Sequence, residues 1–228
     1  MLSKSGSTVN LASQKRLDTY LTNPEPDAVP AQGRTGRPPK TTVAEIIDAA
    51  VELFGSRGFK GTTIAAIAER VGLTDAGVLH HFPTKSVLIE AALERGLLVQ
   101  TTRMRELLEP GGLEAIRNMR EWGSIVEESP ELTSLQIVMS TEGIASDSPV
   151  RDYVQQRYKN LHDLIVGLIR QGVDRGEIRR DADADWEASA LVAYLDGIRL
   201  QWFYAEDRHS LKTSVQRYFD LLVERLAA

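Results

Sequence analysis

The chain has 228 residues, a formal net charge of −5 and no cysteine. Without cysteine it forms no disulfide, thiolate zinc site or cysteine nucleophile, a composition that fits a reducing cytosol. No apolar run reaches the roughly 18 residues of a membrane span, and the N-terminus lacks the apolar stretch of a signal peptide. We therefore expect a cytoplasmic, globular protein.

Residues 1–40 are polar and rich in Pro, Gly, Ser and Thr, a composition that predicts a disordered N-terminal arm. Arg34, Arg37 and Lys40 place three cations just before the first predicted helix. Such an arm can lie in the minor groove of DNA. A solvated linker with incidental arginines explains the same residues equally well.

The first predicted helix begins after Thr42, which forms the pattern of a capping box with Glu45. Its apolar residues recur with helical spacing and predict one buried face: Val43, Ile46, Ile47, Ala50, Leu53 and Phe54. Gly55 and Gly58 are expected to end this helix.

Two short helices follow. Thr62 or Thr63 can cap the first of them, whose apolar stripe is Ile64, Ile67, Ala68 and Val71. Gly72 is expected to end this helix, and Thr74 can cap the second short helix, Asp75–His81. A connection of three to four residues is typical of a helix-turn-helix. The alternative is a three-helix unit with only a packing role.

Several short runs occur together in the order and spacing of one known family: Ala49-Ala50, Leu53-Phe54, Gly58-Phe59, Thr62-Thr63, Ile67-Ala68, Val71-Gly72-Leu73-Thr74 and His81-Phe82-Pro83-Thr84-Lys85. The segment resembles the DNA-binding domain of the TetR/AcrR family of bacterial transcriptional regulators. The resemblance implies a DNA-binding domain over residues 41–86. Leu79 stands where the family most often has Tyr, which leaves that phosphate contact to His80 or Lys85.

The candidate DNA-binding residues combine small polar side chains with cations: Arg37, Lys40, Thr62, Thr63, Thr74, Asp75, Ala76, Gly77, His80, His81 and Lys85. Asp75 could accept a hydrogen bond from a cytosine amine, and Ala76 could contact a thymine methyl group. Residues 34–105 hold 10 Lys and Arg against 7 Asp and Glu, whereas residues 106–228 hold 14 against 22. The basic part is therefore the part that carries the motif.

Residues 87–228 are predicted to form an all-α effector-binding and dimerisation domain. Helical periodicity covers residues 84–108, 113–129, 130–145, 149–175, 183–206 and 211–226. The first of these helices would couple the two domains.

The last two helices carry the predicted dimer interface, in the manner of the family: Ala190, Leu191, Tyr194, Gly197, Ile198, Gln201, Trp202, Val215, Tyr218, Phe219 and Leu222. Small residues there permit close helix approach. The alternative is that these stripes only seal the core of the monomer.

The resemblance also implies an effector pocket. Its candidate residues are apolar with a few polar groups: Met119, Trp122, Ile125, Met139, Glu142, Tyr158, His162 and Tyr194. Each of them taken alone is more typical of a core residue than of a ligand contact. Glu142 and His162 are the first to test, because a polar group on an apolar helix face needs a partner.

Catalysis, cofactors and metals are not expected. His80 and His81 are adjacent and cannot share a metal as residues four apart on a helix would. Asp181, Asp183 and Asp185 alternate as in a calcium loop, but the central Gly and closing Glu are missing, which favours a helix-capping turn.

The sequence thus predicts a homodimeric regulator, most often a repressor in this family, that binds a palindromic operator and is released by a small-molecule effector. The alternative is a dimer that binds DNA without an effector.

Overall fold

The computed structural model describes residues 42–204 and 210–228, with the side chains of residues 97–102 left aside. Within these ranges the chain forms ten α-helices and one short 3-10 turn, and the only bridge of β type joins Ile178 to Ala227. The predicted all-α class is confirmed. The helices are α1 (Val43–Gly61), α2 (Ile64–Arg70), α3 (Asp75–His81), α4 (Lys85–Leu108), α5 (Gly112–Asn118), α6 (Trp122–Glu127), α7 (Pro130–Glu142), α8 (Arg151–Asp174), α9 (Ala184–Tyr204) and α10 (Leu211–Leu226). No helix in the described part of the chain is long and apolar enough to cross a membrane.

The predicted capping box at the start of α1 is confirmed. The backbone N–H of Thr42 donates to the Glu45 carboxylate at 2.7 Å, and the Glu45 N–H donates to the Thr42 hydroxyl at 3.3 Å. Gly58 breaks the helix as expected, with φ 73° and ψ 176°, although one more turn follows it. Gly55 does not end the helix. It is buried inside α1, where its missing side chain lets the α7 backbone approach closely.

The caps of the next helices were predicted in part. Thr63, not Thr62, caps α2 by accepting from the Ala66 N–H at 3.1 Å. Thr74 caps α3 by accepting from the Gly77 N–H at 3.1 Å, and Thr84 caps α4. Gly72 has φ 68° between α2 and α3, which is the left-handed conformation that the turn requires. The helix-turn-helix geometry therefore follows from local sequence signals.

Two hydrophobic cores lie in the molecule. The first is formed by α1 to α4 together with α7 and the start of α8, and its largest fully buried members include Phe54 and Phe82. The second is formed mainly by α5, α6 and α8 to α10, with Phe219 at its centre. Because Leu135 and Met139 of α7 belong to the first core, the DNA-binding helices pack on a helix from beyond the predicted boundary at residue 86.

One expectation for the C-terminal helices needs correction. The predicted helix over residues 113–129 is divided into α5, the 3-10 turn Met119–Glu121 and α6. Gly123 lies at the start of α6, where an added Cβ would stand 2.8 Å from the Lys212 Cα, so α6 packs directly on the start of α10. The predicted capping role of the acidic turn is confirmed, since Asp183 accepts from the Trp186 N–H at 3.1 Å.

Part of the predicted dimer interface lies inside the protomer instead. Four of its residues are buried in the second core: Leu191, Val215, Phe219 and Leu222. Tyr194 and Tyr218 stack on each other at 3.7 Å between ring centroids, and the Tyr194 hydroxyl donates to the Ser214 carbonyl. Within the protomer these residues contribute to the monomer core, as the alternative has it, and the dimer interface itself stays a prediction.

Candidate DNA-binding surface and effector region

The α3 helix presents a surface of small side chains. Thr74, Asp75, Ala76 and His80 are exposed, whereas Val78 is fully buried and fixes the helix on the first core. Gly77 and His81 are partly buried, and the rings of His80 and His81 meet edge to face at 5.3 Å. The exposed first turn is free of bulky groups that would keep the helix backbone out of a groove.

The two adjacent threonines before α2 have different environments. Thr63 is exposed at the helix N-terminus, where unpaired N–H groups favour a phosphate. Thr62 is fully buried, and its hydroxyl lies 2.8 Å from the Gly58 carbonyl oxygen and 3.0 Å from that of Leu53. In this arrangement the Thr62 side chain points into the protein, and of the two threonines only Thr63 is presented to solvent.

Lys85 is also held within the protein. Its Nζ donates to the carbonyl oxygens of Phe59 at 2.8 Å and Thr62 at 2.9 Å, and it stands 4.3 Å from the centroid of the Phe59 ring. These contacts close the C-terminal end of α1, whose last carbonyls lack helical partners. Arg37 and Lys40 lie outside the described residues.

Two family models match the chain. Residues 46–92 match the N-terminal model of the bacterial regulatory proteins of the tetR family, and residues 126–227 match the model of the BetI-type transcriptional repressor C-terminal domain. This chain belongs to the TetR family.

Relatives of this TetR-family chain include the HTH-type transcriptional regulator TtgR of Pseudomonas putida. The two are 26% identical over 199 residues, which cover 85% of this chain and 95% of TtgR. Among solved structures, the ketosteroid transcriptional regulator KstR2 of Mycobacterium tuberculosis is 20% identical at a TM-score of 0.65, over 81% of this chain and 94% of that one. FadR of Bacillus subtilis in complex with stearoyl-CoA is 22% identical at a TM-score of 0.66, over 80% and 98%. The two structures show a shared fold.

The structure separates the predicted effector residues of this TetR-family protein. Met139 is buried in the first core, whereas Met119 and Ile125 are buried in the second and Trp122 packs against it. His162 is about one third exposed, with its Nδ1 3.9 Å from an Asp163 carboxylate oxygen. The predicted residues therefore do not converge on one site.

Glu142 connects the two parts of the molecule. Its Oε2 accepts a hydrogen bond from the Phe59 N–H at 2.8 Å, a group that loses its helical partner because α1 breaks at Gly58. A Cβ at Gly58 would lie 2.3 Å from the other carboxylate oxygen, so Glu142 and Gly58 fit only as a pair. The polar partner expected for Glu142 is thus the backbone of the DNA-binding domain.

Tyr158 is the predicted residue that leads to a buried polar cluster. Its hydroxyl donates to Asp196 Oδ2 at 2.7 Å, while Asp196 Oδ1 accepts from Arg199 Nη2 at 2.8 Å. Arg199 is only 2% exposed and also donates through Nη1 to Gln136 Oε1 at 3.2 Å. Burial lowers the pKa of Arg199, as does the nearby charge of Arg157, although Asp196 opposes both.

Further titratable groups surround this cluster. Burial raises the pKa of Glu94 to about 7, helped by the charge of Glu90. Burial likewise raises the pKa of Tyr153 to about 12, an effect that Arg157 opposes and Glu94 supports. Burial, and then the bond to Asp196, raises the pKa of Tyr158. Helices α4, α7, α8 and α9 all contribute to the cluster.

Sequence reasoning missed Arg199, Asp196, Gln136, Arg157 and Glu94 as members of this region. A signal for Arg199 was present, because the buried face of α9 consists of Ala188, Leu191, Leu195 and Arg199. An arginine that continues an apolar stripe with helical spacing is expected to be buried with partners.

Proposed function

We propose that this TetR-family regulator is a repressor that binds a palindromic operator as a homodimer and leaves it when a small-molecule effector binds its C-terminal domain. The observation that supports operator binding best is the exposed first turn of α3, capped by Thr74 and fixed from below by buried Val78. A recognition helix reads base edges with its N-terminal residues. Asp75, Ala76 and His80 would then face the bases.

Phosphate contacts would come from groups that are exposed to solvent. Thr63 and the N-terminus of α2 are available for this role. Thr62 and Lys85 would instead act indirectly, since they hold the end of α1 on which α2 and α4 rest. Arg37 and Lys40 remain candidates for the minor groove.

A homodimer would use the exposed face of α9. Trp186, Leu200 and Tyr204 are 65%, 42% and 81% exposed, and they recur with helical spacing together with Ala190, Ala193 and Gly197. A Cβ added at Gly197 would meet no atom within 4 Å, so a second helix could approach this position closely. Leu221 extends the apolar surface onto α10. This face takes the place of the four predicted interface residues that are buried in the protomer.

Effector binding would be transmitted through α7 as well as through α4. Ser134 donates to the Gly55 carbonyl at 2.8 Å and Glu142 accepts from Phe59, so α7 holds α1 at two points. At its centre, Gln136 accepts from Arg199 of α9. An effector with different affinities for two positions of α7 would change the spacing of the DNA-binding domains.

Operator binding is tested by fluorescence anisotropy on DNA flanking the gene of this protein, at several salt concentrations. Ala76→Glu places an anion on the exposed surface of α3 and should weaken binding at least about tenfold. Ala145→Glu makes the same change at an exposed position after α7 and serves as the control. Equal affinity of the Ala76 variant and the wild type would contradict the proposal.

Dimerisation is tested by sedimentation velocity. Gly197→Arg should convert dimer to monomer, because it introduces a charged side chain at the centre of the α9 face. Gly167→Arg is the matched control, since Gly167 is likewise a helical glycine with open space around it. A Gly197 variant that sediments as the wild type does would exclude this face.

A further inference from the structure

Two arginines lie in the polar cluster of the C-terminal domain, and within residues 42–204 and 210–228 only one carboxylate pairs with either of them. Arg199 pairs with Asp196 at 2.8 Å, and that carboxylate also accepts from Tyr158. Arg157 forms no ion pair among the described residues, and its guanidinium stands over the Tyr158 ring at 5.8 Å from the centroid. Burial and then repulsion from the positive charge of Arg157 lower the pKa of Arg199. The three groups together carry one excess positive charge.

Both guanidinium groups have a buried N–H without an acceptor in the described part of the chain. These are Arg199 Nε and Arg157 Nη1. Such donors are costly to leave unpaired in a protein interior, and buried charges are normally paired. Because a guanidinium can only donate, each of these groups requires an acceptor.

One further N–H of Arg199 already has a neutral acceptor, the side-chain oxygen of Gln136. Among Arg199, Arg157 and Asp196 there remains a deficit of one negative charge and at least two acceptor positions, and Glu94 does not supply the charge below its raised pKa of about 7. A carboxylate has one negative charge and two oxygens in one plane, which suits donors from two guanidinium groups. A dianion such as a phosphate monoester would exceed the available charge, and a cation would be repelled.

We infer that Arg199 and Arg157 bind the carboxylate of the effector, a small molecule with an apolar body and one acidic group. This inference rests on the proposed function, because it specifies the chemical class of the ligand that releases DNA. The apolar body would lie among the side chains that α4, α7 and α8 contribute to the first core, which include Leu93, Leu132, Met139 and Tyr153.

Ligand binding at this point would reach the DNA-binding domain through α7. A carboxylate bound at Arg199 Nε would shift the guanidinium from which Gln136 accepts through Nη1, and Gln136 lies between the two residues of α7 that hold α1. Such a shift would change the environment of α7 without any direct contact between effector and α1. Ser134 and Glu142 would carry the change onward.

The test uses the full-length protein and pairs of compounds that differ only in charge. The probes are hexanoate, decanoate, benzoate, phenylacetate and indole-3-acetate, each compared with its primary amide in a thermal-shift measurement at pH 6.5. We expect at least one acid to raise the unfolding midpoint while its amide does not, since specific binding stabilises the folded state. Failure of every acid, or equal shifts from the amides, would overturn the proposal.

The responsible arginines are tested with the acid that gives the largest shift. Arg157→Gln should weaken its apparent Kd at least about tenfold, as expected for loss of a charged hydrogen bond. Arg170→Gln is the matched control, because Arg170 is an exposed arginine on the same helix with only a surface ion pair to Asp185. Arg157→Lys keeps the charge and covers the case in which the Gln variant does not fold. Unchanged binding to a folded Arg157 variant would overturn the assignment.

A measurement of operator binding distinguishes failure of the carboxylate site from failure of the proposed repressor function. If DNA is bound and is released by a neutral or cationic compound, the repressor proposal stands and the carboxylate site is wrong. If no DNA is bound while an acid still binds in an Arg157-dependent way, the site stands and the regulatory role is wrong.

Discussion

The two interiors of this protein treat polar groups differently. In the first core, around Phe54 and Phe82, the buried polar side chain of Thr62 has two carbonyl acceptors within 3.0 Å. In the C-terminal domain, Arg199 is equally buried but retains an unpaired N–H. The first arrangement fixes a rigid surface, whereas the second leaves bonding capacity for another molecule. Incomplete hydrogen bonding of a buried polar group, rather than its burial alone, therefore marks the region suited to a ligand.

The largest expected effect is in the first core. Phe54→Ala should lower the free energy of unfolding by about 3–5 kcal/mol, because Phe54 is fully buried and stacks on Phe59. Chemical denaturation provides the measurement. Leu79→Ala, at an exposed position of α3, should change stability by less than about 0.5 kcal/mol. Similar losses in both variants would mean that the DNA-binding unit is not packed as described.

The buried hydroxyl of Thr62 should matter next most. Thr62→Val keeps the shape but removes the donor to the Leu53 and Gly58 carbonyls, at an expected cost of about 1–2 kcal/mol. Thr63→Val, at the neighbouring cap, should cost about 1 kcal/mol and also weaken operator binding. Denaturation and anisotropy together separate the two roles. A Thr62 variant as stable as the wild type would remove the contrast between the two interiors.

Glu94 gives the C-terminal interior a dependence on pH. Its pKa is raised from 4.5 to about 7 in the folded protein, so the folded state holds a proton that the unfolded state loses between these values. Stability attributable to this group therefore falls as pH rises from about 4.5 to 7. Glu94→Gln should stabilise the protein by about 1 kcal/mol at pH 8, a figure reduced for solvent screening, and hardly at all near pH 4.5.

The measurement for Glu94 is the unfolding midpoint of the variant and the wild type at both pH values. Glu106→Gln, an exposed change on the same helix, is the control. A gain that is independent of pH would show that the environment of Glu94 is not as described.

The smallest effect is expected at Arg199. Arg199→Met removes a buried charge with an unpaired N–H, while Asp196 keeps its bond to Tyr158 and is partly exposed. Since apolar replacement of a buried ion is often neutral, we expect a change within about 1 kcal/mol. Denaturation checks this value against Phe54→Ala. A loss as large as in the Phe54 variant would make the arginine a structural ion pair and not a binding group.

Much of the DNA-binding domain could be predicted because its signals are local. The caps at Thr42 and Thr74 and the break at Gly58 depend on residues within one turn of the helix. Side-chain destinations depend on tertiary contacts instead. Glu142 was recognised as needing a partner, but nothing near it in the sequence indicated the Phe59 N–H, 83 residues away.

The predicted dimer interface on α9 is a second case in which tertiary contacts decide where a side chain lies. On α9 the residues Leu191 and Gly197 lie on different faces, and the sequence shows apolar or small residues on both. Only the packing of α9 on α8 and α10 reveals that Leu191 is buried inside the protomer while Gly197 faces open space. Periodicity locates a helix and its apolar positions. It does not distinguish the apolar face that packs inside the protomer from the one that is left exposed.

The hydrogen bond between Phe59 and Glu142 also has a practical meaning for exchanging parts between regulators. The break at Gly58 leaves the Phe59 N–H without a helical partner, and the Glu142 carboxylate of α7 accepts from it. The structural unit that carries α3 therefore includes α7 and does not end at the loop after α3. A chimera that joins residues 42–86 to a foreign effector domain would contain Gly58 but not Glu142, and the Phe59 N–H would lose its acceptor. Recombinants of this protein should therefore be designed with α1 and α7 inherited from the same parent.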